Sequence, residues 1–231
     1  MIEDKKVIGI IPARGNSKGV PKKNIKPLSG TPLIGWTIKE ARKSKYIDKL
    51  ILSSDNQEII SVAKKYGLEA PFLRPSELAK DDTILTEVII HALKKCPGFD
   101  LIVVLQPTSP FRKAEDIDDA IWKIVNSGAP ACVSITLTDK SPYWMFRIDQ
   151  EERLNLLFPD KPVATNRQEQ PETYAINGAV YVANVKFFLE RRSFICPETV
   201  GYIMPRSRSI DIDDDMDFLL AKALIKEYIC N

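Results

Sequence analysis

Short apolar runs alternate with stretches of helical periodicity along most of this chain, and that alternation restricts the fold more than any other feature. Val7-Ile-Gly-Ile-Ile11, closed by Pro12, reads as a buried strand. A helix is expected to begin near Pro32, with Leu33, Trp36, Thr37, Ile38 and Ala41 at helical spacing opposite Lys39, Glu40, Arg42 and Lys43. Lys49–Ser53 reads as a second strand, and Asn56 as the cap of a helix that runs to about Tyr66 and stops at Gly67. A helix over Thr83–Lys95, capped by Asp81 or Asp82, leads to a third strand over Asp100–Leu105. A helix over Ala114–Asn126 and a fourth strand over Ala131–Thr136 continue the pattern. Strands alternating with helices imply an α/β fold, a doubly wound and mostly parallel sheet covered on both faces. Ligands of such sheets sit beyond the carboxyl ends of the strands, so the loops after Ile11, Ser53 and Leu105 are expected to form the site.

The rhythm changes between Thr138 and Thr173. Tyr143-Trp-Met-Phe146 reads as a strand there, and Pro159, Pro162 and Pro171 punctuate irregular chain. This stretch, 138–173, is read as an arm protruding from a single domain over 1–231, since 231 residues suit one well-filled core. Strands over 177–183 and 201–205 follow, then a terminal helix over 214–228 with Asp214, Asp215 and Asp217 at its start. Lys plus Arg number 33 against 31 Asp plus Glu, a balance that gives no support for general nucleic-acid binding. No apolar run approaches a membrane span, and the first residues lack the apolar core of a signal peptide. The cysteines, Cys96, Cys132, Cys196 and Cys230, have neither disulfide-framework nor zinc spacing and are expected as reduced thiols of a cytoplasmic protein. The single histidine, His91, sits among Ile89, Ile90 and Leu93 and reads as structural, which leaves no Ser/His/Asp triad.

The segment richest in chemistry is Pro12-Ala-Arg-Gly-Asn-Ser-Lys-Gly-Val-Pro-Lys-Lys-Asn24, directly after the first strand. Gly15 and Gly19 are expected to take unusual backbone angles that turn amides toward an anion, with Arg14, Lys18, Lys22 and Lys23 adding positive charge. The pattern is neither a Walker A loop nor GxGxxG, yet a triphosphate is a natural partner. A solvated basic turn is the plain alternative. Asp211 and Asp213, one residue apart, face the same way if the chain is extended, and a divalent cation would relieve their repulsion. The alternative is a solvated helix start.

The loop resembles the signature of the acylneuraminate cytidylyltransferases, IPARGGSKGxPxKN, with Asn16 in place of the second glycine. Further segments resemble the same family in the same order. They are Arg74-Pro-Ser-Glu-Leu-Ala79 with Asp81 and Thr83, Gln106-Pro-Thr-Ser-Pro-Phe-Arg112, Arg167-Gln-Glu-Gln-Pro-Glu-Thr-Tyr174 with Asn177-Gly-Ala-Val-Tyr181, and Arg208-Ser-Ile-Asp-Ile-Asp213. A basic residue often precedes the family's counterpart of Arg167; here it is Asn166.

The resemblance implies a nucleotide-diphospho-sugar transferase-like fold, a homodimer joined through the arm, and transfer of CMP from CTP to a nonulosonic acid of the sialic or legionaminic type. It implies nucleotide binding by Ala13, Arg14, Gly15, Ser17, Lys23, Asn24, Arg74, Asp81 and Thr83, and acceptor binding by Gln106, Thr108, Ser109, Arg167, Gln168, Tyr181 and Phe194. For Tyr181 and Phe194, plain core packing is an equal alternative. Arg14, Lys23 and Asp211 are the implied catalytic residues, with Mg2+ at Asp211 and Asp213. Three rival readings stand beside this one, one of them a nucleotide-sensing or otherwise non-catalytic binding protein. The 3-deoxy-octulosonate cytidylyltransferases have a similar loop that lacks the Lys23-Asn24 pair, and Asp211-Ile-Asp213 is formally the DxD of a metal-dependent glycosyltransferase.

Overall fold

Every residue of the first strand except its terminal Pro12 is buried, because the strand lies between two neighbours and between two layers of helices. The computed structural model describes residues 1–16, 19–159 and 171–230, with side chains of the last helix described as far as Ile225. In chain order the elements are β1 (Val7–Pro12), β2 (Pro27–Leu28), β3 (Thr31–Pro32), α1 (Leu33–Ala41), β4 (Lys49–Ser53), α2 (Gln57–Lys65), α3 (Leu85–Lys95), β5 (Leu101–Val104) and α4 (Ala114–Ser127). Then come β6 (Ala131–Leu137), β7 (Phe146–Ile148), β8 (Leu154–Leu156), β9 (Tyr174–Asn184), α5 (Val185–Arg191), β10 (Val200–Ile203) and α6 (Asp215–Cys230).

The central sheet has six strands in the order β10-β6-β9-β5-β1-β4. β1 pairs in parallel with β4 on one side and β5 on the other, and β10 is parallel to β6. β9 is the exception, antiparallel to both β5 and β6. It returns beside β6 without a crossover helix, and the two strands close on each other where the Thr138 amide donates to the Thr173 carbonyl at 2.9 Å. Val7, Ile11, Leu52 and Val103 face one layer, packed with Ile38 of α1, Ile59 of α2 and Ile121 of α4. Ile8, Ile10, Ile51 and Val104 face the other, with Ile89 of α3 and Phe188 of α5. Strands buried on both faces explain why the sequence shows continuous apolar runs in place of alternation.

Several local expectations are met by identifiable bonds. The Asn56 side chain accepts from the amides of Glu58 and Ile59, and Gly67 at φ 74° ends α2. Asp214 accepts from the amides of Met216 and Asp217, while Asp217 accepts from the Asp213 and Asp214 amides, a reciprocal cap on α6.

Others are corrected. α3 starts at Leu85, and neither Asp81 nor Asp82 caps it, because Asp81 is drawn to Arg14 at 3.1 Å and the Thr83 hydroxyl donates to the Glu77 carbonyl at 3.2 Å. Near Pro32 the expectation holds, since α1 starts at Leu33; Pro32 itself pairs with Pro27, in a hairpin whose turn residues Ser29 and Gly30 have φ of 48° and 77°. The expected strand at Tyr143 is a turn of 3-10 helix over Pro142–Trp144, nucleated by Pro142 and by Ser141, whose side chain accepts from the Tyr143 amide. The strand begins only at Phe146, as one half of the exposed β7–β8 hairpin. His91 packs edge-on against Phe72 with ring centroids 5.0 Å apart, in keeping with a structural role.

Replacing Asn56 by Ala removes the acceptor for two amides and is expected to destabilise the protein by about 1 kcal/mol, read as a lower urea midpoint at unchanged slope.

Candidate active site

Beyond the carboxyl ends of β1 and β5 the chain reverses direction across the sheet, and a cleft of about 430 Å³ opens there. The loop after β1 forms one wall through Pro12, Arg14, Asn16, Gly19, Lys23 and Asn24. The segment from Arg74 to Val88 forms the opposite wall, and Gln106, Pro107, Thr108 and Asp213 complete it.

The β1 loop is held by side chains, with few bonds of its own. The Gly15 amide donates to Asp55 Oδ1 at 3.0 Å, and Asn24 Nδ2 donates to the Arg14 carbonyl at 2.9 Å. Gly15 does not take the expected unusual angle. Its absent side chain matters for close approach, because a Cβ there would meet Asn56 Nδ2 at 2.8 Å. At Gly19 a Cβ would lie 2.1 Å from the Asp213 carbonyl oxygen, so glycine lets the loop touch the 211–213 segment. Among the described residues of this stretch Lys22 is left-handed, at φ 52°, and its Nζ forms an ion pair with Glu58 at 2.8 Å.

Of the cations that line the cleft, Arg14 and Lys23 are each held by groups across it. Arg14 Nη1 donates to the Lys80 carbonyl at 3.0 Å and pairs with Asp81 across the mouth. Lys23 Nζ reaches over to the Ile212 carbonyl at 2.6 Å and to Asp213 at 3.2 Å. Arg74, 4% exposed, pairs with Asp55 at 3.2 Å. Burial pulls the Arg74 pKa down, with nearby Arg14 adding to that, while Asp55 opposes it. Asp55 was absent from the sequence-based site, although it lies in the loop after Ser53 that was expected to contribute; one oxygen of it steadies both Gly15 and Arg74.

The acidic pair divides into an inner and an outer carboxylate. The Ile212 amide donates to the Thr108 carbonyl at 2.9 Å, which fixes the segment against the loop after β5. Asp211 Oδ1 is buried and has no hydrogen-bond partner among the described residues, whereas the Asp213 side chain is 79% exposed. Burial raises the Asp211 pKa, and the charges of Asp213 and Asp217 raise it further against the opposing effects of Thr108 and Lys23. An orphaned oxygen beside a second carboxylate, in a site open to phosphate, is a donor set that fits a hard divalent cation. Among the described residues no group of three or more His, Cys, Asp or Glu side chains forms a closed metal cage, so such an ion would need other oxygens.

β9 shapes the far end. Its register with β6 shifts between Val133 and Ile135, and Gly178 in that irregularity has φ of 72°. Buried Asn177 secures the irregular stretch. Its Oδ1 accepts from the Ser134 hydroxyl at 2.6 Å and its Nδ2 donates to Ser209 at 2.9 Å. A Cβ on Gly178 would stand 3.0 Å from Asp211 Oδ2. The half-buried Tyr181 has its phenol pKa raised by burial and by Asp211, while a hydrogen bond with Gln106 opposes the rise.

Not every expected residue faces the cleft. Ser109 is fully buried, its hydroxyl donating to the Asn177 carbonyl at 3.5 Å. Ala13 is buried, and Phe194 packs against Phe188 with centroids 4.6 Å apart, a core position. Ser17, Arg167 and Gln168 lie outside the described residues. Arg208 supports the site from behind. It grips the fully buried Asp116 of α4 through Nε and Nη2 at 3.0 and 2.7 Å, and the Tyr202 hydroxyl donates to the same carboxylate.

The cytidylyltransferase family model matches residues 8–195. A CMP-N,N'-diacetyllegionaminic acid synthase of Legionella pneumophila is 36% identical over 228 residues, covering 96% of this chain and 97% of the relative. An N-acylneuraminate cytidylyltransferase of Escherichia coli is 36% identical over 217 residues, 94% of this chain but 51% of that longer protein. The solved structure of a CMP:2-keto-3-deoxy-manno-octonic acid synthetase complexed with CTP superposes with a TM-score of 0.72 at 14% identity, covering 96% of this chain and 99% of the other, a likeness of fold.

Replacing Gly178 by Ala forces a left-handed conformation on a residue with a side chain, costing about 1–2 kcal/mol, and pushes on Asp211. Thermal denaturation is expected to show the first effect and a fall in turnover the second, while Gly128→Ala, at φ 68° with open space around it and far from the cleft, lowers stability alone.

Proposed function

The chain belongs to the cytidylyltransferase family, and on that premise we propose that it transfers CMP from CTP to the anomeric hydroxyl of a nonulosonic acid of the sialic or legionaminic type. The observation that carries this reading is the convergence of Arg14 and Lys23 on one cleft wall with Gln106, Thr108 and Asp213 beyond them. Cations held at a strand end suit a triphosphate, and neutral donors and acceptors suit a polyhydroxylated acid. The named relatives act on acids of this class, and their identity to this chain exceeds that of the octulosonate enzyme, whose likeness rests on fold.

In this reaction the anomeric hydroxyl gives up its proton to solvent as its oxygen bonds to the α-phosphorus of CTP. The bond from that phosphorus to the bridging oxygen breaks, and pyrophosphate leaves. Arg14 exchanges its contact with Asp81 for phosphate oxygens, and Lys23, already held by the Ile212 carbonyl, neutralises charge that builds on the leaving group. Asn24 and Asp55 keep the loop in place for that task through their bonds to the Arg14 carbonyl and the Gly15 amide. Arg74, Leu78, Thr83 and Val88 wall the nucleoside, while Gln106 and Thr108, with Tyr181 behind them, take the acid. Asp211 and Asp213 would hold Mg2+, which would supply charge neutralisation at the phosphates.

Self-association through the arm belongs to the same proposal. Met145, Phe146, Ile148, Leu154 and Phe158 leave a cluster of exposed apolar side chains on and around the β7–β8 hairpin, favourable for a second copy to cover. A cytoplasmic location is in keeping with the free thiols of Cys96, Cys132 and Cys196.

Pyrophosphate release is expected to require CTP, one member of a panel of nonulosonic acids, and magnesium, and to stop on chelation with EDTA. Asp211→Ala is expected to lower turnover by roughly 10²–10³, the scale for losing one preorganised electrostatic group. Release with no acid in the panel would refute the reading. Light scattering is expected to report a dimer that Ile148→Asp with Leu154→Asp converts to monomer.

A further inference from the structure

Resting on that reading of the cleft, we propose that Arg112 is a positioning residue that holds the acceptor half of the site open and in register. Its side chain is among the largest that are fully buried, at 1% exposure. The last paired rung between β5 and β9 joins Val104 to Tyr181. Two residues further along each chain, at Gln106 and at Ala179, the strands have parted, and the Arg112 guanidinium stands between them. Nη1 donates to the Gln106 carbonyl at 3.3 Å and to the Ala179 carbonyl, and Nη2 donates to the Gln106 carbonyl at 3.2 Å and to the Thr37 hydroxyl of α1 at 2.7 Å. A planar fork thus serves where the next rung of the ladder would have been. It bridges two carbonyls that could not bond to each other, both being acceptors.

Both carbonyls belong to residues that set the acceptor side. Gln106 lines the cleft, and its side chain meets the Tyr181 hydroxyl. Ala179 follows Gly178, whose backbone lies against Asp211. Arg14 and Gly15 on the phosphate wall are fixed separately, through Asn24 and Asp55. Loss of the fork therefore frees Gln106 and the β9 irregularity to shift while Arg14 keeps its place. Displacement of reacting groups by about 1 Å can lower turnover roughly 10²-fold.

The test uses the full chain with Arg112→Met and Arg112→Lys. Arg112→Met is expected to lower kcat/KM for the acid roughly 10²-fold, with CTP affinity by calorimetry within about twofold, as for sites with no shared partners. Arg112→Lys, which keeps the charge without the fork, is expected to stay nearer to Met than to wild type. Hydrogen exchange is expected to speed up in segments 104–110 and 177–182 and to stay unchanged in 19–26. Equal loss of CTP affinity and acid turnover, or exchange raised uniformly, would mean that Arg112 is merely structural and would overturn the proposal. If Arg112→Met does not fold, Thr37→Val removes one acceptor of the fork and must move the same quantities in the same directions, or the proposal fails. Should wild type release pyrophosphate with no acid, the proposed reaction falls, while the exchange pattern still decides whether Arg112 sets these two segments.

Discussion

The reversal of the chain about β1 is the constraint from which the site follows. Placing β4 on one side of β1 and β5 on the other sends the loops that leave these strands apart. Buried apolar side chains on both faces make that arrangement stiff, because Ile8 and Ile10 cannot leave one layer, nor Val7 and Ile11 the other, without exposing large apolar surface. The cleft is thus a consequence of winding order, held by hydrophobic packing, and its walls inherit the rigidity of the strands below.

Charge within the cleft is organised by mutual restraint. Arg14 meets Asp81, Arg74 meets Asp55, and Lys23 meets Asp213. Each cation is thereby oriented before any ligand arrives, and the partly exposed pairs are worth little enough in water that a polyphosphate can replace the carboxylate. Asp211 differs from these. It is buried, with one oxygen unpartnered among the described residues and with carboxylates nearby. Such unmet demand is tolerated where a ligand supplies the missing partner.

Behind the chemistry lies a layer of polar bonds that hold irregular chain where sheet pairing ends. Asn177, Ser134 and Ser209 hold the β9 irregularity, and Asp116, Arg208 and Tyr202 anchor the approach to the 211–213 segment on α4. Asp116 is fully buried, and a bidentate guanidinium, a phenol and the Lys113 amide all donate to it.

Local sequence determined the elements whose causes are local. The double-faced burial of β1, β4 and β5 follows from continuous apolar runs, the α2 cap from Asn56, its stop from Gly67, and the α6 cap from the acidic run. The loop after β1 was legible as a basic, glycine-bearing segment at a strand end, and its place in the cleft follows from the winding rule. Tertiary structure alone decided which polar groups were left for those tasks. Asp81, expected with Asp82 as a candidate cap of α3, is taken instead by Arg14 from the loop after β1, and the Thr83 hydroxyl by the Glu77 carbonyl. Phe194 and Ser109 were drawn inward by neighbours distant in sequence, and Gly15 and Gly19 are required by what approaches them, not by their own angles. Sequence fixes backbone preference and hydrophobic period over a few residues. The partner of a charge or hydroxyl is chosen among all groups that the fold brings within about 3 Å, the reach of a hydrogen bond, and that choice exists only once the chain has closed on itself.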